Sequence, residues 1–128
     1  MDERLEDSAS NTGVMKAKIR VTLTTESGER FYGPGVQDLL TGIREYGSVK
    51  EACTAMDLSY SKGRRILRHA EAVLGYQLVR RRQGGAAGGS AVLTPEAESF
   101  IQRYQSLTES VNDYASERMA EEFSLSRV

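Results

Sequence analysis

The chain has 128 residues, 39% of them hydrophobic and 27% charged, which is typical of one folded domain with a small core. No apolar run approaches the roughly 20 residues of a membrane-spanning helix, and the N-terminus lacks the apolar stretch of a secretory signal. One cysteine and one histidine exclude an internal disulfide and a structural zinc site of their own. We therefore expect a cytoplasmic protein without membrane contact, metal or cofactor, and no enzyme, because no catalytic constellation is present.

The net charge of −1 conceals an uneven distribution of charge along the chain. Residues 44–82 hold nine basic and four acidic side chains, whereas residues 1–15 carry a net charge of −3 and residues 83–128 carry −4. A basic centre between acidic ends favours an anionic partner, nucleic acid first. The alternative is a charged face that meets only solvent.

The N-terminal region predicts a leader followed by a hairpin. Residues 1–14 are polar and acidic, which indicates a disordered leader. In the next segment Ile19, Val21 and Leu23 alternate with polar residues, a pattern typical of a half-buried strand. With a turn and a return strand, this predicts a β-hairpin over residues 17–32.

Three helices are predicted after this hairpin from apolar residues at steps of three and four. The first ends at Gly47. Ser48 begins the second with a capping-box pattern, and Ser59 caps a third that ends at Gly75. Asp57 lies in the short break between the second and third helices, where it can hold a left-handed conformation.

Two short helices joined by so tight a break indicate a helix-turn-helix. A glycine inside a helix costs about 1 kcal/mol relative to alanine, so Gly63 suggests a packing reason and, with Ala52, a close approach of helices. Cys53 on the apolar face predicts a buried, inert thiol rather than a redox sensor. The residues expected at the contact between the two helices are Ala52, Met56, Leu58, Gly63 and Ile66.

The third helix presents basic side chains on its outer face, which suits the major groove of double-stranded DNA. Arginine bonds guanine through two hydrogen bonds, and serine or lysine meets bases or phosphates. For Tyr60 two roles stay open, packing on the core and contact with a phosphate. The residues of this segment predicted to contact DNA are Ser59, Ser61, Lys62, Arg64, Arg65 and Arg68.

Two short strands over residues 78–93 flank a glycine-rich loop and predict a second hairpin, placed as the wing of a winged helix would be. Arg81, Arg82 and Gln83 are its candidate DNA contacts. The loop lacks the Lys-Ser/Thr end of a nucleotide-binding P-loop and precedes a strand, so we do not expect nucleotide binding.

Thr94-Pro95-Glu96 is a strong helix start, and the last helix is predicted to reach about Glu122. Its apolar residues follow steps of four and three, which suits packing against another helix in a homodimer. The predicted organisation is a leader (1–14), a hairpin with a winged helix-turn-helix (15–94), and a dimerisation helix with a tail (95–128). The predicted dimer-interface residues are Phe100, Tyr104, Leu107, Val111 and Tyr114.

Several of these segments also match a known pattern in order and spacing. They are Gly33-Pro34-Gly35, Leu39-Leu40 with Ile43, Gly47-Ser48-Val49 with Ala52, Leu58-Ser59-Tyr60, Leu78-Val79 with Arg81, and Ala91-Val92-Leu93-Thr94. Together they resemble the N-terminal domain of the molybdate-responsive ModE regulators, which is related to the winged-helix domain of LysR-type regulators. The resemblance implies a recognition helix at residues 59–74, a wing arginine at Arg81 and binding of DNA as a homodimer. The expected fold class is α+β, mainly helical: a winged helix-turn-helix with an N-terminal β-hairpin and a long C-terminal dimerisation helix.

The sequence departs from the ModE pattern at two positions. Asp57 stands where glycine is usual in the turn, and Ala86 stands where a basic wing residue is common. The sequence ends at Val128 without molybdate-binding domains, so molybdate sensing is not carried over.

Two functions are compatible with this reading. The first is a sequence-specific transcriptional regulator that binds operator DNA through the recognition helix 59–74 and the wing 78–93. The alternative is a dimerising protein-interaction module on the same fold, which modulates another regulator without binding DNA. The acidic last helix and the lost wing charge favour this alternative. The sequence identifies no small-molecule effector for either.

Overall fold

The computed structural model describes residues 15–82 and 90–123. The predicted leader, the glycine-rich loop and Gln83 lie outside the described residues. The elements in chain order are β1 (Leu23–Thr24), β2 (Arg30–Tyr32), α1 (Pro34–Tyr46), α2 (Val49–Ala55), α3 (Tyr60–Leu74), β3 (Val79–Arg82), β4 (Ser90–Leu93) and α4 (Pro95–Phe123). No helix in the described ranges has both the length and the apolar character that crossing a membrane requires.

The chain divides into two compact units. The larger unit is Val21–Tyr104, and the smaller one combines the described parts of Met1–Arg20 and Gln105–Val128. The larger unit contains both hairpins and the first three helices, so it holds all of the candidate DNA-contacting residues that the structure describes.

The first hairpin is much shorter than predicted. β1 pairs antiparallel with β2, with Leu23 opposite Tyr32, and residues 15–22 form no strand. The backbone N–H and C=O of Ile19 bond instead to the side-chain amide of Asn112, at 2.9 and 3.2 Å. The alternation of apolar residues therefore does not correspond to a paired strand in this segment, and the strand predicted from residue 17 is wrong up to residue 22.

The helix boundaries follow the local signals. Ser48 Oγ accepts a hydrogen bond from Glu51 N, and Ser59 Oγ accepts one from Lys62 N, both at 3.1 Å. Such a cap stabilises a helix by about 1 kcal/mol. Asp57 has φ +59° in the break between α2 and α3, and it is the one non-glycine residue with positive φ in the described part of the chain. The predicted caps and the predicted left-handed turn are confirmed.

A buried tyrosine lies at the centre of the core of the larger unit. Tyr32 is 1% exposed, and its hydroxyl donates to Gln37, whose amide donates to the carbonyl of Ile101 at 3.0 Å. Burial raises the pKa of Tyr32 above its usual value, since the charged phenolate would lose its hydration. The Tyr32 ring contacts those of Phe100 and Tyr104, with ring centroids 4.5 and 5.0 Å away.

These contacts correct part of the predicted dimer interface. Tyr104 is 6% exposed and its hydroxyl donates to the carbonyl of Val21 at 2.6 Å, so Tyr104 and Phe100 pack within the core of their own chain. Apolar residues at steps of four and three along a helix have the same spacing whether they pack against their own chain or against a second copy. The homodimer prediction therefore depends on the rest of these residues in the smaller unit, namely Leu107, Val111 and Tyr114.

The contact between α2 and α3 depends on a glycine. A Cβ atom built on Gly63 would lie 2.3 Å from Cys53 Sγ, so the helices approach as closely as predicted. Cys53 is 1% exposed, and burial raises the pKa of its thiol, which keeps the reactive thiolate scarce. Ala52 also packs against α1, since its Cβ lies 3.2 Å from a Cβ built on Gly42.

The second hairpin is tied to the helices on both sides. β3 pairs antiparallel with β4, from Val79 opposite Leu93 to Arg82 opposite Ser90. The Glu71 carboxylate of α3 accepts from the backbone N–H groups of Leu78 and Val79, at 2.8 and 3.3 Å. Thr94, which caps α4 by accepting from Ala97 N at 3.0 Å, also donates to the carbonyl of Gln77 at 2.8 Å. These hydrogen bonds fix the position where β3 begins and the position where β4 ends.

Candidate nucleic-acid interface

Helix α3 and strand β3 carry seven basic side chains, which we call the basic surface. Between residues 60 and 82 the only carboxylate is Glu71, whose Oε2 already accepts two backbone hydrogen bonds. Within the described ranges, arginine–carboxylate ion pairs involve Arg44 and Arg118, His69 Nε2 lies 3.3 Å from a Glu29 carboxylate oxygen, and none of these contacts involves a member of the basic surface. This concentration of uncompensated positive charge attracts polyanions. The members are Lys62, Arg64, Arg65 and Arg68 of α3 and Arg80, Arg81 and Arg82 of β3.

Most of the predicted DNA-contacting residues of α3 are exposed. Ser61, Arg65 and Arg68 share one face of the helix, as their spacing of four and three requires, and all three are exposed. Lys62 is exposed beside them. Ser59 is also exposed, but its Oγ already accepts the hydrogen bond from Lys62 N, so its first role is that of a helix cap.

Arg64 differs from the other basic residues of α3 because it is half-buried. Its Nε is the one buried side-chain nitrogen or oxygen without a hydrogen-bond partner in the described parts of the chain. Its guanidinium carbon lies 5.7 Å from the centre of the Tyr60 ring, within the range of a cation–π contact. Arg64 is therefore held against the protein rather than projecting freely as predicted.

Tyr60 connects α3 to β3. Arg81 Nη1 donates a hydrogen bond of 2.7 Å to the Tyr60 hydroxyl, and the Arg81 guanidinium carbon lies 5.8 Å from the centre of the ring. The hydrogen bond from Arg81 lowers the pKa of Tyr60, because it favours the phenolate. The sequence left two roles open for Tyr60, packing on the core and contact with a phosphate. The structure shows a third: the Tyr60 side chain, which is 39% exposed, contacts both Arg64 and Arg81.

We expect the Arg81→Ala substitution to raise the pKa of the Tyr60 phenol. The sign follows from the loss of a donor that stabilises the phenolate, together with the loss of a nearby positive charge. The pKa can be measured by NMR titration of a chain with labelled tyrosine rings, in which the Tyr60→Phe variant assigns the signal. Arg82→Ala removes the neighbouring charge and serves as the control. Equal midpoints for Tyr60 in the two alanine variants would contradict the observed contact.

Sequence analysis did not predict the contact between Tyr60 and Arg81, although the spacing of Tyr60 and Arg64 indicated that these two side chains could meet. Tyr60 and Arg64 are four residues apart on one helix, a spacing at which side chains meet. Arg81 is 21 residues away along the chain and reaches Tyr60 only through the fold. Arg82 is exposed at the end of β3 opposite Ser90, while Gln83 lies outside the described residues.

Comparisons with known proteins show the fold. No family model matches the sequence, and no curated protein matches it either. Among solved structures, the chain is similar to the DNA-binding domain of CbnR, which was crystallised as a complex with DNA, with a TM-score of 0.53 and 20% sequence identity. The similarity covers 68% of this chain and 94% of that one. The predicted fold class is confirmed: the chain is a mainly helical α+β protein of the winged-helix type with a long C-terminal helix.

Proposed function

We propose that this chain is a transcriptional regulator of the ModE-like winged-helix type, which binds operator DNA in the cytoplasm as a homodimer. The observation that carries the proposal is the basic surface: seven cations on α3 and β3 without an ion pair among the described residues, on a fold shared with a DNA-binding domain. Duplex DNA supplies the closely spaced negative charges that such a surface lacks.

The side chains of this surface divide into two roles. Ser61, Arg65 and Arg68, exposed on one face of α3, read base edges in the major groove, where arginine recognises guanine. Lys62 on the flank contacts phosphates, which fixes the register of the protein on the duplex. Arg81 contacts the DNA backbone from the wing, in a position set by its hydrogen bond to Tyr60.

The remaining wing contacts and the dimer complete the proposal. Arg82 and Gln83 contact the DNA backbone beside the glycine-rich loop. Leu107 and Tyr114 of α4 are 42% and 64% exposed, so both are available for burial against a second copy of α4. A twofold dimer of this kind presents its recognition helices to successive major grooves, about 34 Å apart.

The test is the salt dependence of binding to a labelled duplex of random sequence. If six or more phosphates are contacted, the slope of log K against log salt concentration will be about −5 or steeper. Binding through uncharged contacts would depend very little on salt concentration. Absence of binding, or binding insensitive to salt, would reject the proposal in favour of the protein-interaction module.

A further inference from the structure

Four arginines line the cleft between α3 and β3, together with four other residues. Its volume is about 360 Å³, at the lower end of the range of ligand pockets, so it fits a small ion or a single phosphate group better than a large cofactor. We propose that this cleft binds a tetrahedral oxyanion of the phosphate type. Its charged lining residues are Arg64, Arg68, Arg80, Arg81 and Glu71.

The charge in the cleft is unbalanced. Four guanidinium groups line it, and none of the four forms an ion pair with a carboxylate in the described ranges. The one acid, Glu71, directs its Oε2 to the backbone N–H groups of Leu78 and Val79. Guanidinium groups bond phosphate through two parallel N–H···O bonds, so a dianion or a phosphodiester is the complementary ligand.

One donor among the lining residues lacks an acceptor. Arg64 Nε is buried without a hydrogen-bond partner, which is costly for a charged group, and an anion bound to the same guanidinium in the cleft offsets part of that cost. The Tyr60 ring lies beside both Arg64 and Arg81, and its hydroxyl holds Arg81 at 2.7 Å. Two of the four arginines are thus positioned before any anion arrives, which lowers the entropic cost of binding.

Two sources can supply this chemistry, a phosphodiester of the DNA backbone and a free phosphate-type anion. The proposal deepens the DNA-binding function proposed above, since Arg81, assigned there to the DNA backbone, lines the cleft. It does not depend on that function for its test, because inorganic phosphate is a sufficient probe.

The experiment is an NMR titration of the full chain with inorganic phosphate against chloride at constant ionic strength, observing the arginine Nε–H signals. We expect a saturable shift of the Arg64 Nε–H signal. Arg64→Met, and independently Arg80→Met at an exposed position of the same cleft, should weaken phosphate binding about tenfold or more. Arg82→Met removes the same charge from the same strand outside the cleft and should change the affinity by less than about twofold.

The outcomes separate the proposals. Shifts that never saturate, or equal weakening by Arg82→Met and Arg80→Met, would overturn the cleft site even if the chain binds DNA. If the chain binds phosphate saturably but does not bind duplex DNA, the cleft site is supported and the proposed function is rejected. If bound duplex prevents the phosphate-induced shift of Arg64 Nε–H, the backbone phosphodiester is the natural ligand. If phosphate still binds in the complex, the ligand is a free anion.

Discussion

Replacing Gly63 by alanine will destabilise the larger unit by about 2 kcal/mol. The added methyl carbon would lie 2.3 Å from Cys53 Sγ, far closer than the two atoms can approach, so α2 and α3 must separate or the thiol must leave its rotamer. Overpacking of this kind costs about 1–3 kcal/mol, and more where the contact is very short. Alanine offsets about 1 kcal/mol of this cost, because it favours the helical conformation over glycine.

Urea denaturation of Gly63→Ala, Cys53→Ala and the double variant measures this effect. Removing the sulfur leaves Leu58 and the β-carbon of residue 53 as neighbours of the new methyl group, at 3.7 and 3.9 Å, which are ordinary contacts. The double variant should therefore be at least as stable as Cys53→Ala alone, by up to about 1 kcal/mol from the helix preference of alanine, so the two substitutions will be strongly non-additive.

Gly35→Ala is the matched control in α1. A Cβ atom at Gly35 meets nothing within 4 Å, so this substitution should stabilise the protein by up to about 1 kcal/mol. If Gly63→Ala has no cost, or if its cost persists unchanged in the Cys53→Ala background, the close approach of α2 and α3 is not as described.

The features that the sequence predicted correctly are those decided by neighbours along the chain. Ser48, Ser59 and Thr94 cap helices because a hydroxyl reaches the backbone N–H three residues ahead. Asp57 has a left-handed conformation in the short break between α2 and α3, which a short polar side chain tolerates. Each of these features involves residues no more than a few positions apart, so its geometry depends little on the remainder of the fold.

The features that sequence analysis misjudged depend on which distant segment a side chain meets. The steps of four and three in α4 are the same for Tyr104, which packs on Tyr32, and for Tyr114, which is 64% exposed. Periodicity defines a face of the helix but does not identify its partner. The same reason explains Tyr60, whose hydroxyl meets Arg81 of β3.

The strand predicted around Ile19 shows a related difficulty. Alternation of apolar and polar residues reports an extended backbone with two different faces, but it does not supply a partner strand. β2 has only three residues, and the Asn112 amide satisfies both backbone groups of Ile19. Only the structure therefore identifies the hydrogen-bond partner of such a segment.

The largest expected effect on function is that of the double variant Arg65→Ala, Arg68→Ala. If each side chain reads a base, each truncation costs about 1–3 kcal/mol, so the pair will lower affinity for the selected operator by a factor between about 30 and about 2 × 10⁴. Both residues are exposed, and neither forms an ion pair in the described ranges, so the fold should be unaffected. The operator can be obtained by selecting genomic fragments that the wild-type chain binds, and the affinities measured by fluorescence anisotropy.

Lys62→Ala distinguishes base reading from phosphate contact within the same helix. A lysine that contacts phosphate contributes equally to all sequences, so its loss should weaken operator and random duplex alike and reduce the salt slope by about 1. The arginine variants should instead lose discrimination between the operator and single-base substitutions at particular positions. Arg103→Ala, an exposed α4 arginine outside the basic surface, should leave affinity and slope unchanged. If the double arginine variant behaves like this control, α3 is not the recognition helix, since its two most exposed guanidinium groups would then contribute nothing to DNA binding.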